Sequence, residues 1–175
     1  TFTCLPWQPP SGGEDCELCN SDPMKPCSEY RCKSLGASCE LLNIGTGNET
    51  CVWLNKGDVT APSIKPLDKV LSENHEYINV KPCPPGPGCW KIIRTGAKDG
   101  CIKAFTPLRF GISTNEPAQC KIDYNHTKSF EDMRFWFGDN LYLYNHSIRL
   151  SNPGPDHINR QSPEIKNDGR YTLYI

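Results

Sequence analysis

Six cysteines at positions 16, 19, 27, 32, 39 and 51 crowd a stretch too short to carry an apolar core of its own. Covalent staples must substitute for burial there. The whole chain is heavy in thiols, eleven in 175 residues against two methionines, a load that suits an oxidising compartment and not a reducing cytosol. Cys4, Cys16, Cys19, Cys27, Cys32, Cys39, Cys51, Cys83, Cys89 and Cys101 are expected to be bonded, with connectivity open except for local choices. Cys83 with Cys89, or one of these with Cys101, are such choices. Because eleven cannot all pair within one chain, one thiol is left over.

Metal binding is a weaker reading of the same residues. Cys16-x-x-Cys19 is followed by Cys27 and Cys32, but a second Cys-x-x-Cys at zinc spacing is missing and no histidine precedes His75. The motif opens neither a helix nor a βαβ unit, as a thioredoxin-like redox pair would. No metal and no cofactor are expected.

Three regions follow from punctuation and pattern. Residues 1–15 hold prolines 6, 9 and 10 with glycines 12 and 13, so they read as an extended arm. Phe2, Leu5 and Trp7 on it are too large and apolar for so short an arm to bury alone. Residues 16–58 form the stapled module. Ser28 to Gly36 is a short helix within it, with Ser28 as N-cap, Glu29 in the first turn, Lys33 in the last and Gly36 as the stop. Cys51 to Leu54 is a strand.

Residues 59–175 alternate between apolar and polar positions with period two. Val59 to Leu67 is an edge strand, since Pro62 and Pro66 cannot donate to a ladder; Glu76–Val80 and Trp90–Ile93 follow. Leu108, Phe110 and Ile112 alternate with Arg109 and Gly111, and Ala118, Cys120 and Ile122 alternate again after a corner at Thr114–Pro117. Arg134–Phe137 and Leu141–Tyr144 read as a hairpin around Gly138–Asn140, and Asp168-Gly169 turns into a last strand. About seven or eight short strands without a crossover helix are the signature of a mainly β, antiparallel sandwich.

The run from Ile112 to Cys120, with Met133, Phe137, His146 and the closing Gly169 to Ile175, resembles an immunoglobulin-like or fibronectin-III-like module of secreted prokaryotic surface proteins. The resemblance covers roughly residues 60–175 and implies an immunoglobulin-like β-sandwich. It also implies that Cys120 pairs with a cysteine at the end of the last strand, here just beyond Ile175 in a longer precursor. In composition and layout the chain is similar to subunits of glycosylated extracellular filaments.

A net charge of −1 offers no electrostatic footprint for nucleic acid or an anionic membrane. No stretch approaches the roughly 20 apolar residues that span a bilayer, and no leader opens the chain, so it reads as a mature soluble segment. Asn48-Glu-Thr50, Asn125-His-Thr127 and Asn145-His-Ser147 are glycosylation sequons, so N-linked glycans are expected at Asn48, Asn125 and Asn145.

Catalytic patterns are missing. No Gly-x-Ser-x-Gly or His-Glu-x-x-His occurs, His126 and His146 sit inside sequons, and Glu116, Gln119 and Asp123 read as solvated turn residues. Asp139-Asn140 and Asn167-Asp168 are hairpin residues before they are calcium ligands. The resulting expectation is a secreted or cell-surface, non-enzymatic subunit that self-assembles head-to-tail into a helical filament through Phe2, Leu5 and Trp7. Its rival is a carbohydrate-binding or adhesive module, with glycans as partner, presenting Trp90, Trp136, Tyr142 and Tyr144 to sugars.

Overall fold

A computed structural model describes residues 3, 6–54, 57, 59–81, 88–126, 129–151 and 171–175. The chain divides into two compact units, Thr1–Ala61 and Pro62–Ile175.

In the first unit a 3₁₀ turn over Cys16–Asn20 precedes α1 (Glu29–Leu35), β1 (Cys39–Leu42) and β2 (Thr50–Trp53). The helix starts where Ser28 predicts, its hydroxyl accepting the Arg31 N–H at 3.2 Å. Gly36 ends it in extended backbone, so glycine is needed here for space and not for conformation. A Cβ would lie 2.5 Å from the Gly12 carbonyl oxygen and 3.1 Å from the Cys39 sulfur. Gly12 is that close because the inner end of the expected arm docks on the helix exit. Ala37 N–H donates to the Pro10 carbonyl at 2.8 Å and Ser38 N–H to that of Gly12 at 2.9 Å.

β1 and β2 pair antiparallel with Leu41 opposite Cys51. Disulfides Cys16–Cys39, Cys19–Cys27 and Cys32–Cys51 tie the 3₁₀ turn to β1 and to its following loop, and α1 to β2. Each restricts the unfolded chain, an effect of about 2–4 kcal/mol. The buried cluster is Leu41 with five half-cystines, so sulfur takes the place of a hydrocarbon core as the cysteine spacing predicts.

The second unit contains β3 (Ile64–Pro66), β4 (His75–Asn79), β5 (Trp90–Arg94), β6 (Pro107–Ala118), β7 (Lys121–Ile122), β8 (Phe135–Trp136) and β9 (Leu143–Ser151). All pairings are antiparallel: a three-stranded sheet in the order β3-β6-β9, and the pairs β4-β5 and β7-β8. Pro66 lies on an edge strand of that sheet, where its missing N–H is tolerated. Leu108, Phe110 and Ile112 on one face of β6 form the core with Cys120, Ile122 and Phe137. Tyr77 of β4 and Ile92 of β5 pack against it. The Tyr77 hydroxyl also bonds the β6 backbone, donating to the Gly111 carbonyl and accepting its N–H, both at 3.0 Å.

Two expectations are corrected. The corner at Thr114–Pro117 is instead an irregularity within one continuous strand, with the register on β9 shifting between Ser113 and Ala118. Buried Thr114 makes this possible: its hydroxyl donates to the Glu116 carbonyl at 2.7 Å, satisfying locally what the ladder leaves open. The hairpin across Gly138–Asn140 does not form either, because β8 pairs back to β7 while β9 pairs with β6. Phe137 decides this. It is fully buried against Phe110 at a ring distance of 5.5 Å, and its N–H donates to the Cys120 carbonyl at 2.9 Å. The described end of the expected last strand, residues 171–175, makes a single antiparallel bridge between Tyr174 and Asp123.

Candidate functional site: the β7–β8 face

The β7–β8 pair sets Lys121 opposite Trp136 and Ile122 opposite Phe135, so alternation sends these pairs to opposite faces. Ile122 joins the core. On the other face the Lys121 ammonium lies 4.7 Å from the centre of the Phe130 ring and 5.0 Å from that of Trp136, and the two rings meet edge to face at 5.8 Å. Phe130 is brought there by the turn in which Met133 N–H donates to its carbonyl. Both rings stay open to solvent, at 38% and 39% exposure. A cleft of about 390 Å³ touches Trp136 but neither Phe130 nor Lys121, and is lined chiefly by Ile122, Phe135, Ile148, Leu150 and Leu173.

Asp123 holds this region together and overturns an expectation. Read as a solvated turn residue, it is 1% exposed and sits in a bidentate pair with Arg134. Arg134 Nη2 lies 2.9 Å from Oδ1, its Nε 3.0 Å from Oδ2, and its backbone N–H donates to Oδ2 at 2.9 Å. The Asn125 N–H adds a further bond to Oδ1 at 3.0 Å. The Arg134 guanidinium and then the Asn125 N–H hold the carboxyl well below the usual aspartate range. Nothing in the local sequence signals a pair eleven residues apart.

Among the described residues the expected cysteine set changes at Cys101. Cys101, expected to be bonded, is a free exposed thiol. Cys89 is already in a disulfide, and Cys101 sits on a turn where Asp99 accepts its backbone N–H at 2.9 Å. Cys120 is free and buried at 7% exposure, and burial pushes its thiol up to about 11. Cys4 and Cys83 lie outside the described residues. Sulfurs of Cys16, Cys39 and Cys51, and of Cys19, Cys27 and Cys51, converge within 4.8 Å. All are spent in S–S bonds and are not thiolate ligands.

The sequon asparagines Asn48, Asn125 and Asn145 are all exposed. Asn48 stands in the β1–β2 loop, Asn125 in the turn capped by Asp123, and Asn145 within β9. Trp7 is 62% exposed, while Phe2 and Leu5 lie outside the described residues. Of the aromatics expected to meet sugars, Trp136, Tyr142 and Tyr144 are exposed, and Trp90 is half-buried on β5. Sequence pattern missed Phe130 and Lys121, which join this face only through the pairing of β7 with β8.

His146 is buried on the core side of β9, its Nε2 3.0 Å from the Leu143 carbonyl. His126 packs edge-on against Tyr174 at 5.0 Å. The side chain of Asp139 caps the Leu141 N–H at 2.9 Å, as a turn residue does; Asn167-Asp168 and His157 lie outside the described residues. No helix is long and apolar enough to cross a membrane among the described residues. Comparison with family models, curated proteins and solved structures finds no match to this chain.

Proposed function

We propose that this chain is a non-enzymatic, N-glycosylated module of the extracellular space, a structural subunit that joins its neighbours head-to-tail into a filament or surface layer. The observation that carries the reading is Trp7, a large apolar side chain left 62% exposed just before a segment anchored by Pro10 and Gly12. Covering such a side chain stabilises an interface by roughly 1.5–3 kcal/mol. Three disulfides support an oxidising compartment. Removing residues 1–9 spares the Pro10 contact and tests the role of the arm. The truncated chain is expected to stay monomeric in sedimentation at concentrations where the intact chain forms polymers; equal polymerisation would reject the arm as connector.

The second unit is proposed to be the immunoglobulin-like or fibronectin-III-like sandwich that its sequence resembles. The packing of β4 and β5 over the core face of β6 supports two layers. Register supports the cysteine pairing that the resemblance implies. Asp123 and Tyr174 exchange both backbone hydrogen bonds, at 3.0 and 2.8 Å. Each step back from Asp123 is then a step past Tyr174, so in a longer chain the second residue after Ile175 would face Cys120. It would do so at a non-hydrogen-bonded pair, where Cα atoms of antiparallel strands come within disulfide range.

A second reading, a carbohydrate-binding or adhesive module, is favoured by the exposed, adjoining rings of Phe130 and Trp136 with the Lys121 ammonium over both. A monomer retained on immobilised glycans supports it.

A further inference from the structure

The carbohydrate-binding reading leaves the ligand class open, and Lys121 narrows it. Its ammonium makes no ion pair with a carboxylate and no hydrogen bond to an acceptor among the described residues; its contacts are the rings of Phe130 and Trp136. Arg134, the other described cation near β8, is already neutralised by Asp123. Among the described residues the face therefore offers an uncompensated positive charge with three N–H donors, set over two touching, open aromatic rings.

A pyranose has an apolar C–H face that packs on such rings, and a rim of hydroxyls that needs donors and acceptors. A hexuronate adds a carboxylate at C5, at the edge of the ring, where an ammonium beside the stacking surface can meet it. Glu131 and Asp132 follow Phe130 and are exposed, the latter accepting from Ser129 at 2.8 Å. Their like charge opposes a highly charged polymer at long range, so recognition has to come from contact with single uronate residues.

Resting on the second of the two readings above, we infer that the Lys121–Phe130–Trp136 face is a binding site for uronate-bearing glycans, the sugar stacking on the rings and its carboxylate pairing with Lys121. The pairing exchanges water for a charge-assisted hydrogen bond at a partly covered position, which is stronger than its neutral counterpart. Screening by salt weakens it, whereas stacking on the rings is insensitive to salt.

The test uses the whole chain with oligogalacturonate and, as a neutral comparison, a cello-oligosaccharide of the same length, followed by calorimetry. Oligogalacturonate is expected to bind more tightly, and Lys121→Gln to lower that affinity about tenfold, the factor set by about 1.4 kcal/mol. The same variant should leave the neutral sugar unaffected. Phe130→Ala should weaken both ligands, and thermal melts confirm that each variant is folded. Equal binding of both sugars, or oligogalacturonate binding unchanged in Lys121→Gln, overturns the uronate inference and leaves a neutral sugar site. If neither sugar binds the wild-type chain, the inference and the carbohydrate-binding reading beneath it both fail.

Discussion

Arg134 grips Asp123 through both its guanidinium and its own backbone N–H, so one buried carboxylate organises the β7–β8 pair and the bridge to Tyr174 together. The folded state holds this carboxyl below its ordinary value, and such a group contributes stability above the unfolded-state value of about 3.9. That contribution declines as pH falls below about 4 and is lost as pH drops through the depressed folded value. Melting temperature measured from neutral pH downward should therefore fall less steeply in Asp123→Asn than in wild type. Arg134→Ala should be the more damaging variant at neutral pH, because it strands a buried charge. Parallel pH profiles for Asp123→Asn and wild type would count against this account.

Asn20 behaves as a strand of one residue. Its side-chain Nδ2 donates to the Cys51 carbonyl at 2.8 Å and its Oδ1 accepts the Cys51 N–H at 2.9 Å, closing the outer edge of β2. Cys51 is fully buried, so Asn20→Ala leaves both of its backbone groups without partners, at a cost of about 2–4 kcal/mol. Asn20→Asp keeps the acceptor but turns a carboxylate oxygen toward the Cys51 carbonyl, so it is expected to be no more stable than the alanine variant. Urea midpoints under non-reducing conditions measure both. A shift within error for the alanine variant would show that water replaces the amide.

The two free thiols among the described residues should separate by accessibility. Cys101 is exposed and Cys120 buried with a raised thiol, so brief alkylation of the native chain followed by peptide mapping is expected to label Cys101 and spare Cys120. Unfolding without reduction should make Cys120 reactive. If a longer chain carries a cysteine at the second position after Ile175, which the register sets opposite Cys120, mapping should find the two bonded. Mapping that pairs Cys120 with any upstream cysteine would reject that assignment.

The three sequons differ in what surrounds them. Asn48 lies in a loop with left-handed backbone at Asn43, Gly45 and Gly47, and Asn125 in a turn. Asn145 is in β9 beside buried His146, with the Ser147 hydroxyl 3.2 Å from Arg109 Nη2. A transferase needs the sequon to bend into its own site, which a paired strand resists. Folded protein offered to an oligosaccharyltransferase should gain glycan at Asn48 and Asn125 but not at Asn145, as read by intact mass and glycopeptide mapping. Modification of Asn145 after folding would show that β9 opens locally.

How much was legible in the chain depends on the range of the interaction. Ser28 capping α1, the stapled cluster of half-cystines, Pro66 on an edge and the buried face of Leu108, Phe110 and Ile112 follow from spacing and side-chain chemistry within a few residues. These the sequence determined alone. Three disulfide pairings out of many, the partner of Asp123 and the assembly of Lys121 with Phe130 and Trp136 were decided by tertiary structure. The expected hairpin at Gly138–Asn140 shows why. Its turn chemistry is local and correct, with Gly138 in left-handed backbone, yet it does not choose which strands pair. Burying Phe137 beneath β6 separates the two strands that the turn would join, and that apolar contact exists only once Phe110 is in place.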